Sequence, residues 1–199
     1  MRWLVFILFA LVFLAVELGL RAWITLPVGP YRAAAPSLLL ILGVFVSLHA
    51  YRPVAVTAML LLGVATDLTQ AIGNLETAQT QAIFLLGPAA LGFLLGAYVV
   101  LQFRTMMFHV SPITLAVMTL VAGLFVQLVL VAIITLRGVL PTDSVPDWQA
   151  TSQLVQRAVS VIYSAVLALR MALPLGRLKS LWRLGGAPND VLTDRLSLR

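Results

Sequence analysis

Six apolar runs, separated by single charges or turn-forming residues, divide the chain: 3–20, 35–50, 53–68, 81–103, 113–136 and 154–173. A helix that crosses a bilayer needs about 20 mostly apolar residues, within a range of about 17–25. Two of the runs, 35–50 and 53–68, are short by that measure and are joined only by Tyr51-Arg52. They form either a tight helical hairpin or one irregular unit that does not fully cross, which a bundle tolerates where the backbone is buried in protein. Over 199 residues the apolar share is 61% and the charged share 10%. Soluble domains average about 45–50% apolar and about 25% charged, and a soluble fold of this size has too little interior to hide the excess. A soluble enzyme, a disordered chain and a collagen-like fibre are thereby excluded. The expected fold is an all-α integral membrane protein with about six transmembrane helices. Residues 1–175 would form the bundle and 176–199 a basic cytoplasmic tail, broken at Gly185-Gly186-Ala187-Pro188 and partly disordered.

The charges orient this bundle. Thirteen Lys+Arg against seven Asp+Glu give a formal net charge of +6. Nucleic-acid binding needs cations clustered on an exposed face, whereas most here sit singly between apolar runs, so no nucleic-acid partner is expected. Six spans put both termini on one side. With the N-terminus inside, Arg21, Arg32, Arg137 and Arg157 fall outside and the other nine Lys/Arg fall inside. That asymmetry favours cytoplasmic termini. The stretch 67–80 has no Lys or Arg, as an external loop would. At the N-terminus, the run 3–20 is longer than a signal-peptide core of about 7–15 residues. It also lacks a small-x-small cleavage site, so it reads as a retained first helix.

The chain has no cysteine and two histidines, His49 and His109. No disulfide, thiolate metal site or cysteine nucleophile is possible. No nucleophile elbow, phosphate loop or carboxylate pair beside a histidine occurs. The expectation is a non-enzymatic protein without a cofactor or metal.

Helix punctuation is legible at several ends. Ser111-Pro112 supplies an N-cap and a proline at the first helical position of the fifth span. Pro36-Ser37 opens the second. The stretch 138–147, with Pro141, Asp143, Pro146 and Asp147, reads as a turn-rich connection. Pro88 is placed to kink the fourth span. No internal repeat is evident.

Few polar residues interrupt the spans. Glu17 lies near the outer end of the first, four residues before Arg21. That spacing suits an interfacial pair with a snorkelling arginine, or an ion or partner contact. Asp67 closes the third run. It marks a boundary, or it is a buried contact that holds the following loop through backbone N–H groups or a nearby helix N-terminus. Gly92 and Gly96 form a small-xxx-small pair that lets another helix approach closely. That helix belongs to the bundle or to a partner. Ser152, Gln156, Ser160 and Tyr163/Ser164 recur at helical spacing and form a polar stripe, which in lipid turns toward other helices. Gln127 stands alone in the fifth span.

The segment Ala35-Pro36-Ser37-Leu38-Leu39-Leu40-Ile41-Leu42-Gly43-Val44-Phe45-Val46, followed by Leu62-Gly63-Val64-Ala65-Thr66-Asp67, then Gly73-Asn74-Leu75 and a longer apolar run, resembles the rod shape-determining protein MreD family. The resemblance covers about 35–103 well and the remainder in outline. It departs from the family pattern at Ala35 and Ser37, where arginine and aspartate are usual, and at Asn74-Leu75-Glu76. Gly63 and Asp67 are the positions it marks as fold-defining.

The resemblance implies a non-enzymatic inner-membrane subunit of the bacterial elongation machinery. It would bind an MreC-like protein and through it MreB, RodA and a penicillin-binding transpeptidase, and so help direct lateral peptidoglycan synthesis. Its other partners would be membrane lipids. The family is similar in fold to the substrate-binding subunits of energy-coupling-factor vitamin transporters. That similarity gives a second reading, a small-molecule site under the 67–80 loop. The candidate contact residues for fold or partner are Gly63, Asp67, Gly92, Gly96, Gln156 and Ser160.

Overall fold

The computed structural model describes residues 3–19, 26–27, 33–76, 87–105, 111–138 and 150–178. These form six helices: α1 (Trp3–Gly19), α2 (Leu38–His49), α3 (Arg52–Glu76), α4 (Pro88–Arg104), α5 (Pro112–Gly138) and α6 (Ala150–Leu178). Strands β1 (Leu26–Pro27) and β2 (Ala33–Ala34) pair antiparallel between α1 and α2. That ladder is a small departure from a purely helical expectation. Three helices contain stretches long and apolar enough to cross a membrane: Arg52–Thr69, Pro112–Leu136 and Leu154–Arg177. The helices α1, α2 and α4 are shorter.

The second apolar run becomes the hub. α2 has 12 residues, and all but His49 are buried. At about 1.5 Å per residue it is about 18 Å long, against a hydrocarbon core of about 30 Å. A helix apolar on every side lies either inside protein or in lipid, and α2 takes the first course, packing against each of the other five. Its partner run, 53–68, is not short. α3 continues to Glu76 and has 25 residues, so Asp67 lies within a helix and the expected loop from that point is corrected. Thr69, Gln70, Ala71 and Ile72 carry no helix breaker. Falling hydropathy marks the edge of lipid, while a helix ends only where capping or a breaker ends it.

Two proline expectations resolve differently. α5 starts at Pro112, with Ser111 Oγ accepting from the Thr114 amide at 3.1 Å. Pro88 does not kink a helix. It is the first residue of α4, after Gly87 at φ +130°. Glycine alone adopts that backbone region freely, and proline lacks only an N–H that a first turn leaves unpaired anyway. At the C-terminal end, α6 runs through Pro174 to Leu178, past the expected bundle boundary at 175. The connection 139–149 and the tail 179–199 lie outside the described residues.

The close contacts fix helix directions. A methyl on Gly92 would meet Val126, and one on Gly96 would meet Val126 and Ala122, so α4 and α5 run antiparallel. A methyl on Gly123 would meet Val161, and Arg157 bonds Gln127, so α5 and α6 are antiparallel too. Lipid tails give no hydrophobic drive between helices, so close van der Waals contact at small residues supplies much of the association.

Candidate functional site

The polar groups of the described helices gather mainly at one end of the bundle. There α1, α3 and α5 finish and α2, α4 and α6 begin. Two short helices start in this layer, and each is capped by a carboxylate from the helix before it.

Asp67 caps α4. It is only 5% exposed. Its Oδ2 accepts from Gly87 N at 3.0 Å and Ala90 N at 3.1 Å, and its Oδ1 from Ala89 N at 3.0 Å. Pro88 has no N–H, so Asp67 takes every backbone donor of residues 87–90. The next amide, Leu91 N, already bonds Gly87 O. A carboxylate at a helix N-terminus meets both the free donors and the positive end of the dipole. Gly63, one turn earlier on α3, permits this approach. A methyl there would lie 2.6 Å from Ala90 Cα.

Glu17 does the same for α2. Its Oε2 accepts from Leu38 N at 2.9 Å and Leu39 N at 3.2 Å. Ser37 is the N-cap, its Oγ accepting from Leu40 N at 3.4 Å. Ser37 N donates in turn to Ser164 Oγ at 2.9 Å, so α6 also secures the start of α2. Arg21 lies outside the described residues. At the far end of α2, Arg104 Nη1 donates to Ser47 O and Ala50 O. The hub thus has a carboxylate at its positive end and a guanidinium at its negative end.

A cavity of about 460 Å³ opens beside these caps. Glu17, Ser37, Thr66, Thr69, Gln127, Gln156, Arg157 and Ser160 supply its polar lining, and Leu40, Phe93, Val126 and Leu130 its apolar lining. Arg157 Nη1 donates to Gln127 Oε1 at 2.8 Å. Its Nε is fully buried and has no hydrogen-bond partner. Among the described residues no carboxylate pairs with it, and no group of three His, Asp or Glu side chains could hold a metal ion.

The expected site residues thus divide into two groups. Asp67 and Gly63 join α3 to α4. Gln156 and Ser160 line the cavity, Ser160 Oγ donating to Gln156 O at 3.2 Å. Ser164, further along the same stripe, is buried against α2. Gly92 and Gly96 lie elsewhere, and of the two occupants expected on that face, a helix of the bundle or a partner helix, the structure has the first. α5 already fills it, with Val126 O 3.1 Å from where a Gly92 methyl would stand. The sequence reading missed the capping of α2 by Glu17 and the pairing of Arg157 with Gln127. A signal for the second existed: each was a strongly polar group inside an apolar run, and such groups seek one another in lipid. No family model, curated protein or solved structure matches this chain.

Proposed function

We propose that this chain is an MreD-like, non-enzymatic, multi-pass subunit of the bacterial cytoplasmic membrane. It would cross about six times with both termini inside. In this reading it binds an MreC-like protein and helps control cell shape and lateral peptidoglycan synthesis. One observation carries the proposal. The residues that bear the resemblance converge on a single structural unit. The 35–46 segment supplies the buried hub α2, Gly63 lets α3 press against α4, and Asp67 holds the first turn of α4. Asp67 and Arg104 of that unit are engaged with helix ends, as suits a rigid platform that presents its outer faces to a partner. Depleting the protein in its own host tests this. Rod-shaped cells should become round, and incorporation of a fluorescent D-amino acid into the side wall should fall. Unchanged shape and side-wall labelling would count against the proposal.

The cavity favours a second reading, a substrate-binding membrane subunit of a vitamin transporter. Its volume lies within the range of about 300–1,000 Å³ usual for ligand pockets, and it adjoins α3 at Thr66 and Thr69. Saturable stabilisation by one vitamin in a thermal-shift series would support this reading. A flat response across the series would remove it.

A further inference from the structure

The Arg157 guanidinium stands in a helix long and apolar enough to span a membrane. Among the described residues it has one hydrogen bond, to the neutral amide of Gln127, and a buried Nε without an acceptor. A cation withdrawn from water is costly unless an anion or several acceptors meet it. The nearby acid does not serve: Glu17 Oε2 already accepts two amides at the start of α2. Arg157 lines the same cavity as Gln127, Gln156 and Ser160. Leu40, Phe93, Val126 and Leu130 give the same cavity an apolar lining.

We propose that this cavity binds an amphipathic anion: a carboxylate or phosphate oxygen at Arg157, with an apolar body against Phe93 and Leu130. Arginine suits this role because it stays charged and presents several donors in a fixed fork. Gln127 holds the fork in place from α5. The neutral amides of Gln127 and Gln156 orient the head without adding charge, while the Glu17 carboxylate of the same lining keeps its Oε2 on the α2 amides. The anion reaches the cavity either from the bilayer, as a phospholipid headgroup, or from water, as a small organic carboxylate. The chemistry at Arg157 is the same in both cases. The inference rests on the cavity alone, so co-purification with an MreC-like partner and anion binding succeed or fail separately.

The full-length chain in neutral detergent is titrated with dioctanoyl phosphatidylglycerol and, separately, with octanoate. Dioctanoylglycerol and octanol serve as uncharged controls, and thermal stability is the readout. Saturable stabilisation by either anion, absent with its uncharged control, is expected, and the stronger arm identifies the source. Charge-assisted hydrogen bonds predict binding about tenfold to a hundredfold weaker in Arg157→Gln, with Arg157→Lys retaining more of it. Should Arg157→Gln fail to fold, Ser160→Leu fills the cavity and leaves Arg157 in place. Among the described residues the Ser160 hydroxyl bonds only within its own helix, and this variant should lose the stabilisation. Equal stabilisation of wild type and variants, or none by either anion, overturns the proposal.

Discussion

Asp67 Oδ1 lies 3.0 Å from the amide nitrogen of Ala89, 22 residues downstream. With the two bonds from Oδ2 to Gly87 and Ala90, that contact makes one side chain the whole N-terminal cap of α4. Glu17 stands in the same relation to Leu38, 21 residues on. The device therefore occurs twice, each time with an acid in the C-terminal half of one helix holding the start of the next. Nothing in the spacing of apolar residues discloses this likeness, because it resides in the caps and not in the helices.

Removing the Asp67 carboxylate should be among the most damaging single changes. Asp67→Ala leaves three amides without acceptors in a buried site, at a cost of about 1–3 kcal/mol for each unsatisfied group. Asp67→Asn keeps one carbonyl oxygen and should fall between. Thermal unfolding in detergent orders the three proteins. A Tm for Asp67→Ala equal to wild type would show that the cap contributes nothing.

The glycines should rank by what a methyl would strike. Gly63→Ala meets backbone, with Ala90 Cα at 2.6 Å, and backbone cannot yield without moving a helix. A destabilisation of about 1–3 kcal/mol is expected there. Gly96→Ala meets mainly the tip of Val126 at 3.1 Å and should cost less. Gly176, with nothing within 4 Å, should tolerate alanine or gain from it, since alanine favours the helix by about 1 kcal/mol. The same unfolding assay reads all three, and a reversed order would contradict the packing described.

Two polar residues at the far end of the hub should behave oppositely. Ser47 Oγ is buried without a partner, so Ser47→Ala should be neutral or stabilising by up to about 1 kcal/mol. Arg104→Ala strips the donor from the carbonyls of Ser47 in α2 and of its C-cap Ala50 and should lower the Tm. A large loss from Ser47→Ala would reveal a role for that hydroxyl beyond the contacts seen.

The absence of cysteine makes single-cysteine labelling clean. Gly19, at the end of α1, and Tyr51, between α2 and α3, are both exposed and belong to opposite ends of the bundle. With both termini cytoplasmic, Gly19→Cys should react with an impermeant maleimide from outside and Tyr51→Cys only after the membrane is opened. Labelling of both from one side would contradict the alternating arrangement.

Much of this bundle is readable from residues, and the unread part has definite causes. Ser111 and Ser37 mark helix starts because their chemistry is local: a hydroxyl reaches an amide three residues on. The stripe at Gln156 and Ser160 is readable because helical periodicity places them on one face. The end of α3 is not legible, because falling hydropathy marks the edge of lipid and not the end of a helix. The Gly92/Gly96 face shows only that some helix approaches closely, and its occupant is set by the path of the chain. Arg157 and Gln127 stand 30 residues apart on different helices, so their meeting depends on the register between α5 and α6. Glu17 looked paired within its own helix, while its acceptors serve amides that become neighbours only after α1 and α2 pack.

Co-purification tests the proposed function most directly. The tagged chain is co-expressed with an MreC-like protein from the same host and extracted in mild detergent. The account predicts co-elution at a fixed ratio, retained by Gly176→Ala and lost with the fold in Asp67→Ala. Recovery of a folded chain alone, with the MreC-like protein present in the extract, would contradict it.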